Sequence, residues 1–190
     1  MPAGPKVTES SKPRLMFEEI VRKGFLVFDP QRKVLTFNRD VLSKFPALRK
    51  TKMDEFKWLV GKWAAQNRVR ATPTTPAYED TYRYTFELRD DGTRIYIAGP
   101  DAKFRPYLTW DPFSERWMMT MIEGGFGVLQ SPGWAGDSIV FTGRVTMLGA
   151  DCDLRHTITK ISDVDLYAVN EQQLPNGEWI MVDDFIWRRE

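Results

Sequence analysis

The sequence predicts a mostly-β fold, an antiparallel sheet structure over residues 54–190 preceded by a small α/β extension. Three observations carry that expectation. Turn signals punctuate the chain at Asp90-Asp91-Gly92, Asp111-Pro112, Glu123-Gly124-Gly125, Ser131-Pro132-Gly133, Gly149-Ala150-Asp151, Ser162-Asp163 and Pro175-Asn176-Gly177. Their spacing of about 8–12 residues is the one sandwiches and barrels show. The runs between them alternate: Tyr82, Tyr84, Phe86 and Leu88 fall on one face with Thr81, Arg83, Thr85 and Glu87 on the other. Ile139, Phe141, Val145 and Met147, and Leu154, His156 and Ile158, repeat the pattern, as in a sheet wet on its outer face. Finally, no helix-length periodic segment separates the runs, which excludes a parallel βαβ sheet.

The elements follow in order. Pro2–Pro13, rich in Pro, Ser and Lys, reads as a disordered tail over residues 1–13. Leu15, Met16, Glu18, Glu19, Ile20 and Val21 give a short helical pattern that Gly24 closes. Phe25–Phe28 and Val34–Phe37 flank Asp29-Pro30-Gln31-Arg32-Lys33 and read as a hairpin. Asn38 or Asp40 caps a helix carrying Val41, Leu42 and Phe45, which Pro46 limits or kinks. A lone hairpin between short helices makes no core of its own, so residues 14–53 are expected to pack on the main domain. Charge agrees: residues 1–53 hold 12 basic and 5 acidic side chains, the rest 15 and 21. Opposite fields of this kind favour docking. At Trp117–Ile122 both faces are apolar, which predicts a strand covered on both sides.

Composition excludes several classes. The 190 residues have a net charge of +1, which argues against a nucleic-acid binder despite the basic–aromatic runs Tyr82-Arg83-Tyr84 and Trp187-Arg188-Arg189. The single Cys152 permits no internal disulfide, and the single His156 permits no two-imidazole metal site, so no metal is expected. The Met1-Pro-Ala-Gly-Pro-Lys start has no signal-like apolar region and no run reaches bilayer-spanning length, so a cytoplasmic protein without membrane association is expected.

The boundary carries a motif, Phe56-Lys57-Trp58-Leu59-Val60-Gly61-Lys62-Trp63. With Leu108-Thr109-Trp110-Asp111-Pro112, Phe141-Thr142-Gly143 and a final Trp187-Arg188-Arg189, it resembles a group of uncharacterised bacterial lipocalin-like (calycin) domains, distantly similar to fatty-acid-binding proteins and nitrobindins. The resemblance implies an antiparallel up-and-down β-barrel over residues 54–190. It implies that Gly61 opens the first strand, that Trp63 plugs the closed end, and that a basic residue of the last strand, Arg188, covers the indole. Such a pair gains about 0.5–2 kcal/mol.

The inward aromatic and methionine supply then lines or fills the barrel. Tyr82, Tyr84, Phe86, Trp117, Met119, Met121, Phe141, His156 and Trp179 are the expected cavity-lining residues, with Met147 and Met181 on the same expected faces. A cavity so lined suits a small hydrophobic or aromatic ligand, bound without chemistry. The alternative is an enzyme in which a carboxylate and His156 move protons, or haem held by His156 as the nitrobindin resemblance implies. A neutral core or rim histidine with a hydrogen-bonded ring is the favoured reading of His156. Asp151 and Asp153 read as solvated turn residues rather than a cation site, and Cys152 as an inert thiol. Glu123–Gly127 lacks phosphate-loop spacing, and no G-x-S-x-G is present. A homodimer through the extension is the expected alternative to a monomer.

Overall fold

The computed structural model describes residues 20–72, 76–99, 105–121, 125–147 and 149–190. The expected tail over residues 1–13, the helical pattern from Leu15 to Glu19 and the Glu123-Gly124 turn lie outside these residues. The chain divides after Pro46 into two compact units.

In the first unit, β1 (Leu26–Asp29) and β2 (Val34–Phe37) form the expected hairpin, with Leu26 opposite Phe37 and Asp29 opposite Val34. Asp29 builds its turn by accepting from the backbone N–H groups of Gln31 at 2.9 Å and Arg32 at 3.0 Å. Asn38 caps α1 (Arg39–Leu42), accepting from the Asp40 and Val41 N–H groups. That helix ends before Phe45. Pro46 instead occupies the first turn of α2 (Phe45–Met53), where its missing N–H has no carbonyl to lose. It starts a helix rather than stopping one.

The second unit begins inside α2, at Ala47 rather than after Met53, because the helix's later residues are held by the barrel. Arg49 donates to the Trp110 carbonyl at 2.9 Å, Lys52 stands 4.7 Å over the Trp110 ring, and Met53 is fully buried. A 3-10 helix (Asp54–Leu59) then leads into β3 (Gly61–Val69), β4 (Tyr78–Arg89), β5 (Arg94–Ala98), β6 (Tyr107–Asp111), β7 (Arg116–Met121) and β8 (Gly125–Ser131). The two-residue β9 (Trp134–Ala135) precedes β10 (Ser138–Met147), β11 (Ala150–Lys160), β12 (Asp165–Gln173) and β13 (Trp179–Arg189). Consecutive strands pair antiparallel, β10 with β8 and β11, and β13 returns to pair with β3. Ten strands thus close into an antiparallel β-barrel, with β9 a short addition beside β10. Closure leaves no free sheet edge around the ring.

Period-two alternation sets what lies inside. Trp63 and Ala65 on β3, Phe86 on β4, Ile139, Phe141 and Val145 on β10, and Leu154 and Ile158 on β11 are all buried. On β7, Trp117, Met119 and Met121 are buried, whereas Met118 and Thr120 are only partly covered. The strand is not covered on both sides; Met118 is an apolar residue on the outer face.

Candidate functional site

One end of the barrel is packed solid. The 3-10 helix drives Phe56 and Leu59 into the barrel, where Phe56 meets Trp117 edge-on at 4.6 Å and Trp134 at 5.1 Å. Trp110 joins Trp117 at 5.4 Å. Trp63 is fully buried and satisfies its indole N–H on the Leu59 carbonyl at 2.8 Å.

The cation over Trp63 is Arg189, 4.7 Å from the ring centre, and not Arg188. The register explains the correction. Arg189 lies directly opposite Trp63, and with Trp187 inward the next inward position is 189. Arg188 points outward and pairs with Asp165 at 2.9 Å. Arg189 also donates to the carbonyls of Val60, at 2.8 Å, and Trp58, so it ties the last strand to the lead-in of the first. Gly61 is required beside it. At φ 137° a Cβ would stand 2.7 Å from the Arg189 guanidinium.

Above this plug lies a cavity of about 450 Å³. Leu59 is among its lining residues, and its walls are mainly apolar, with Tyr84, Phe86, Leu108, Met119, Met121, Leu129, Leu166, Phe185 and Trp187 among them. Of the nine expected lining residues, Tyr84, Phe86, Met119, Met121 and His156 take part. The other four do not. Trp117 belongs to the plug and Phe141 is fully buried in the wall. Tyr82 is half-buried beside Tyr84, with ring centres 6.4 Å apart. Trp179 lies outside, under Arg155 at 4.6 Å, and Met181 is exposed against Arg70. A bulge causes this last reversal: Asn170 faces Asp183 while Glu171 faces Met181, so Val182 is an extra residue on β13. One extra residue flips every side chain before it to the other face.

The polar wall of the cavity is built from three strands. His156, Asn170 and Asp183 stand opposite one another across β11, β12 and β13, and all three line the cavity. Asn170 donates through Nδ2 to Asp183 Oδ1 at 2.7 Å, and its Oδ1 lies 2.7 Å from His156 Nδ1. The bond to Asp183 sets the amide with Nδ2 toward the carboxyl and Oδ1 toward the imidazole. His156 Nδ1 must then donate. Burial holds the imidazole below its ordinary pKa against the opposing Asn170 hydrogen bond. The ring is therefore neutral at pH 7, and Nε2 carries the lone pair. Burial also raises the Asp183 carboxyl, opposed by hydrogen bonds from Asn170 and Asn67, with the neighbouring Asp184 charge adding to the rise. Tyr84 is pushed up to about 12 by burial and stays a neutral hydroxyl.

Asp184, one residue on, is the opposite case. Its side chain is fully buried, and burial would raise it, but Arg68 and Tyr167 donate to it and hold it below the carboxylate range. Arg70 adds a second ion pair at 3.3 Å. Asp151, at the cavity rim, is engaged by Thr146 at 2.5 Å and lies 3.9 Å from Arg144, which also reaches Asp153 at 3.6 Å. The guanidinium stands where a bound cation would. The Cys152 thiol is raised by burial and by Asp153 and Asp151, as an inert thiol should be. Among the described residues no cluster of three or more His, Cys, Asp or Glu side chains could hold a metal ion.

The charged residues that line the cavity are Asp151 and Asp183, with no Lys or Arg among them, and His156 Nε2 is the nitrogen that would ligate a haem iron. Sequence reasoning missed Asn170 and Asp183. The available signal was a polar residue interrupting an inward apolar series: Leu166, Ala168, Asn170 on one strand and Trp187, Phe185, Asp183 on the next.

A protein from M. tuberculosis, Rv2717c, has a similar structure, with a TM-score of 0.50 at 12% identity over 73% of this chain and 96% of that one. Weaker likenesses, both with a TM-score of 0.39, are EF1p2_mFAP2b bound to DFHBI, 9% identical over 73% of this chain and 98% of that one, and a DUF3598-family protein of unknown function from Nostoc punctiforme, 13% identical over 71% and 48%. No family model and no curated protein matches the chain. No helix among the described residues is long and apolar enough to cross a membrane. The likeness to Rv2717c is one of fold, a closed antiparallel β-barrel.

Proposed function

We propose that this is a lipocalin-like barrel that binds one small, flat, largely apolar molecule in its cavity. The observation that carries the reading is the combination of a plugged end with an open apolar hollow above it. A barrel whose aromatic residues merely filled the core would have no space of about 450 Å³ left, and pockets of roughly 300–1,000 Å³ suit small ligands. The few polar groups converge on one wall, where they orient a ligand rather than solvate it. Native mass spectrometry of the purified protein tests the reading together with assembly. A bound small molecule, released on unfolding, is the expected result; a ligand-free protein that also takes up no apolar compound from a mixed panel contradicts it.

A second reading, proton transfer within the cavity, is favoured by one observation: an imidazole with a free Nε2 and a carboxyl raised by burial share one hydrogen-bonded row. That pairing provides a base and an acid on the same wall. Conversion of a bound panel compound by the wild type, lost in His156→Gln, would establish it. Binding without any change of mass over hours would leave the binding reading alone.

A further inference from the structure

We propose that the cavity selects apolar ligands whose polar head is a protonated amine, and discriminates against carboxylates. The inference rests on the binding reading above and names its ligand class. Its ground is the row of acceptors that the lining presents. Asp183 lines the cavity and takes hydrogen bonds only from the neutral amides of Asn170 and Asn67 among the described residues, so its carboxylate is an acceptor without a countercharge. His156 has committed Nδ1 to Asn170, which leaves Nε2 as an acceptor. These two acceptors stand on a mainly apolar lining whose other polar groups include the Tyr84 hydroxyl, the Gln172 amide and the Asp151 carboxylate, and they ask for a head group rich in N–H donors.

Charge points the same way. Among the described residues, Arg68 and Arg70 pair with Asp184, Arg155 with Glu171, and Arg144 with the Asp151 and Asp153 carboxylates. Among the described residues lining the cavity there is no Lys or Arg, and the one imidazole is neutral. Asp183 is thus a partly buried carboxyl with amide partners and no cationic one. Its raised pKa records the same deficit, since burial disfavours the ion and nothing positive restores it. An ammonium placed against the Asp183 carboxylate supplies the missing charge and favours the ionised form. A carboxylate ligand in that position adds a second negative charge in a poorly hydrated space, where repulsion is stronger than in water.

Calorimetric titration of the full-length protein at pH 7 with three compounds on one ring system tests this: 1-naphthylmethylamine, 1-naphthalenemethanol and 1-naphthoic acid. The amine should bind about tenfold or more tighter than the acid, with the alcohol between them. In Asp183→Asn, nearly isosteric, the amine should lose its lead over the alcohol while the alcohol's affinity moves less than about threefold. An acid that binds as well as the amine overturns the proposal, and so does an unchanged amine-to-alcohol ratio in a variant with native circular dichroism. If the variant does not fold, the wild-type order of the three compounds decides. Failure of all three to bind overturns the binding reading itself, whereas binding without the charge order overturns only the selectivity.

Discussion

The two halves of the barrel interior are made of similar residues and do opposite things. At the closed end Phe56, Trp117, Trp110 and Trp134 interlock ring against ring, Trp58 links Trp134 to Trp63, and a guanidinium seals the seam. In the half toward Val69 and Asp183, Tyr84, Phe185 and Trp187 pack ring to ring along the wall and leave a hollow beside them. The difference is the 3-10 helix. It pushes Phe56 and Leu59 into one end of the ring and nothing comparable enters the other among the described residues. An aromatic inward face therefore does not by itself distinguish packing from a cavity. What enters from outside the strands decides.

The comparison makes stability a property of the closed end. Trp63→Ala should cost about 3–5 kcal/mol in denaturant unfolding, since it empties a fully buried site and leaves Arg189 without its ring. A loss under about 1 kcal/mol would mean that the plug does not hold the barrel together. Arg189→Ala should cost about 2–3 kcal/mol, from the ring contact and the charge-assisted bonds to the Trp58, Val60 and Asp163 carbonyls. Arg188→Ala, one residue away, should move stability by no more than about 0.5 kcal/mol, because its ion pair with Asp165 is exposed to solvent. Equal losses for the two arginines would refute the assigned register.

The open half should instead control pH dependence. His156 has a folded pKa below its ordinary value, so the unfolded chain takes up a proton that the native protein refuses. Its contribution is intact above about pH 6.5 and is lost as pH falls through the window below that. Asp183 works in the reverse sense: its folded carboxyl holds the proton longer, so its contribution is full below the ordinary carboxylate value and is lost as pH rises through the raised one. Between pH 7 and 5, wild type should lose stability more steeply than His156→Gln, by up to about 1.4 kcal/mol per pH unit. Parallel curves would show that the imidazole is not held neutral by burial.

Much of the barrel was legible in the chain because alternation and Gly61-x-Trp63 are local signals. Tyr84, Phe86, Met119, Met121 and His156 could be assigned inward from their neighbours alone. The closing seam was legible to within one residue. Counting inward from Trp187 gives Arg189, and the one-residue shift to Arg188 puts a cation on the wrong face. Trp179 and Met181 were misread for the same reason in another guise: the extra Val182 resets the period, and a bulge has no local signature. The His156–Asn170–Asp183 row was beyond reach, since it exists only once β11, β12 and β13 lie side by side in a particular register. Trp117 and Phe141 were correctly inward. Whether an inward ring fills space or borders it depends on the 3-10 helix, which no strand pattern records.

Whether the hollow above the plug is an accessible binding site is decided by one titration. N-phenyl-1-naphthylamine, a neutral arylamine that fluoresces in apolar surroundings, should bind the wild type saturably with a blue-shifted emission and one site per chain. Ala168 is buried, lines the hollow and has room before it, so Ala168→Phe should abolish that signal while circular dichroism and the unfolding midpoint stay near wild type. A probe that does not saturate on the wild type, or that binds Ala168→Phe equally well, would show that the hollow is not that site.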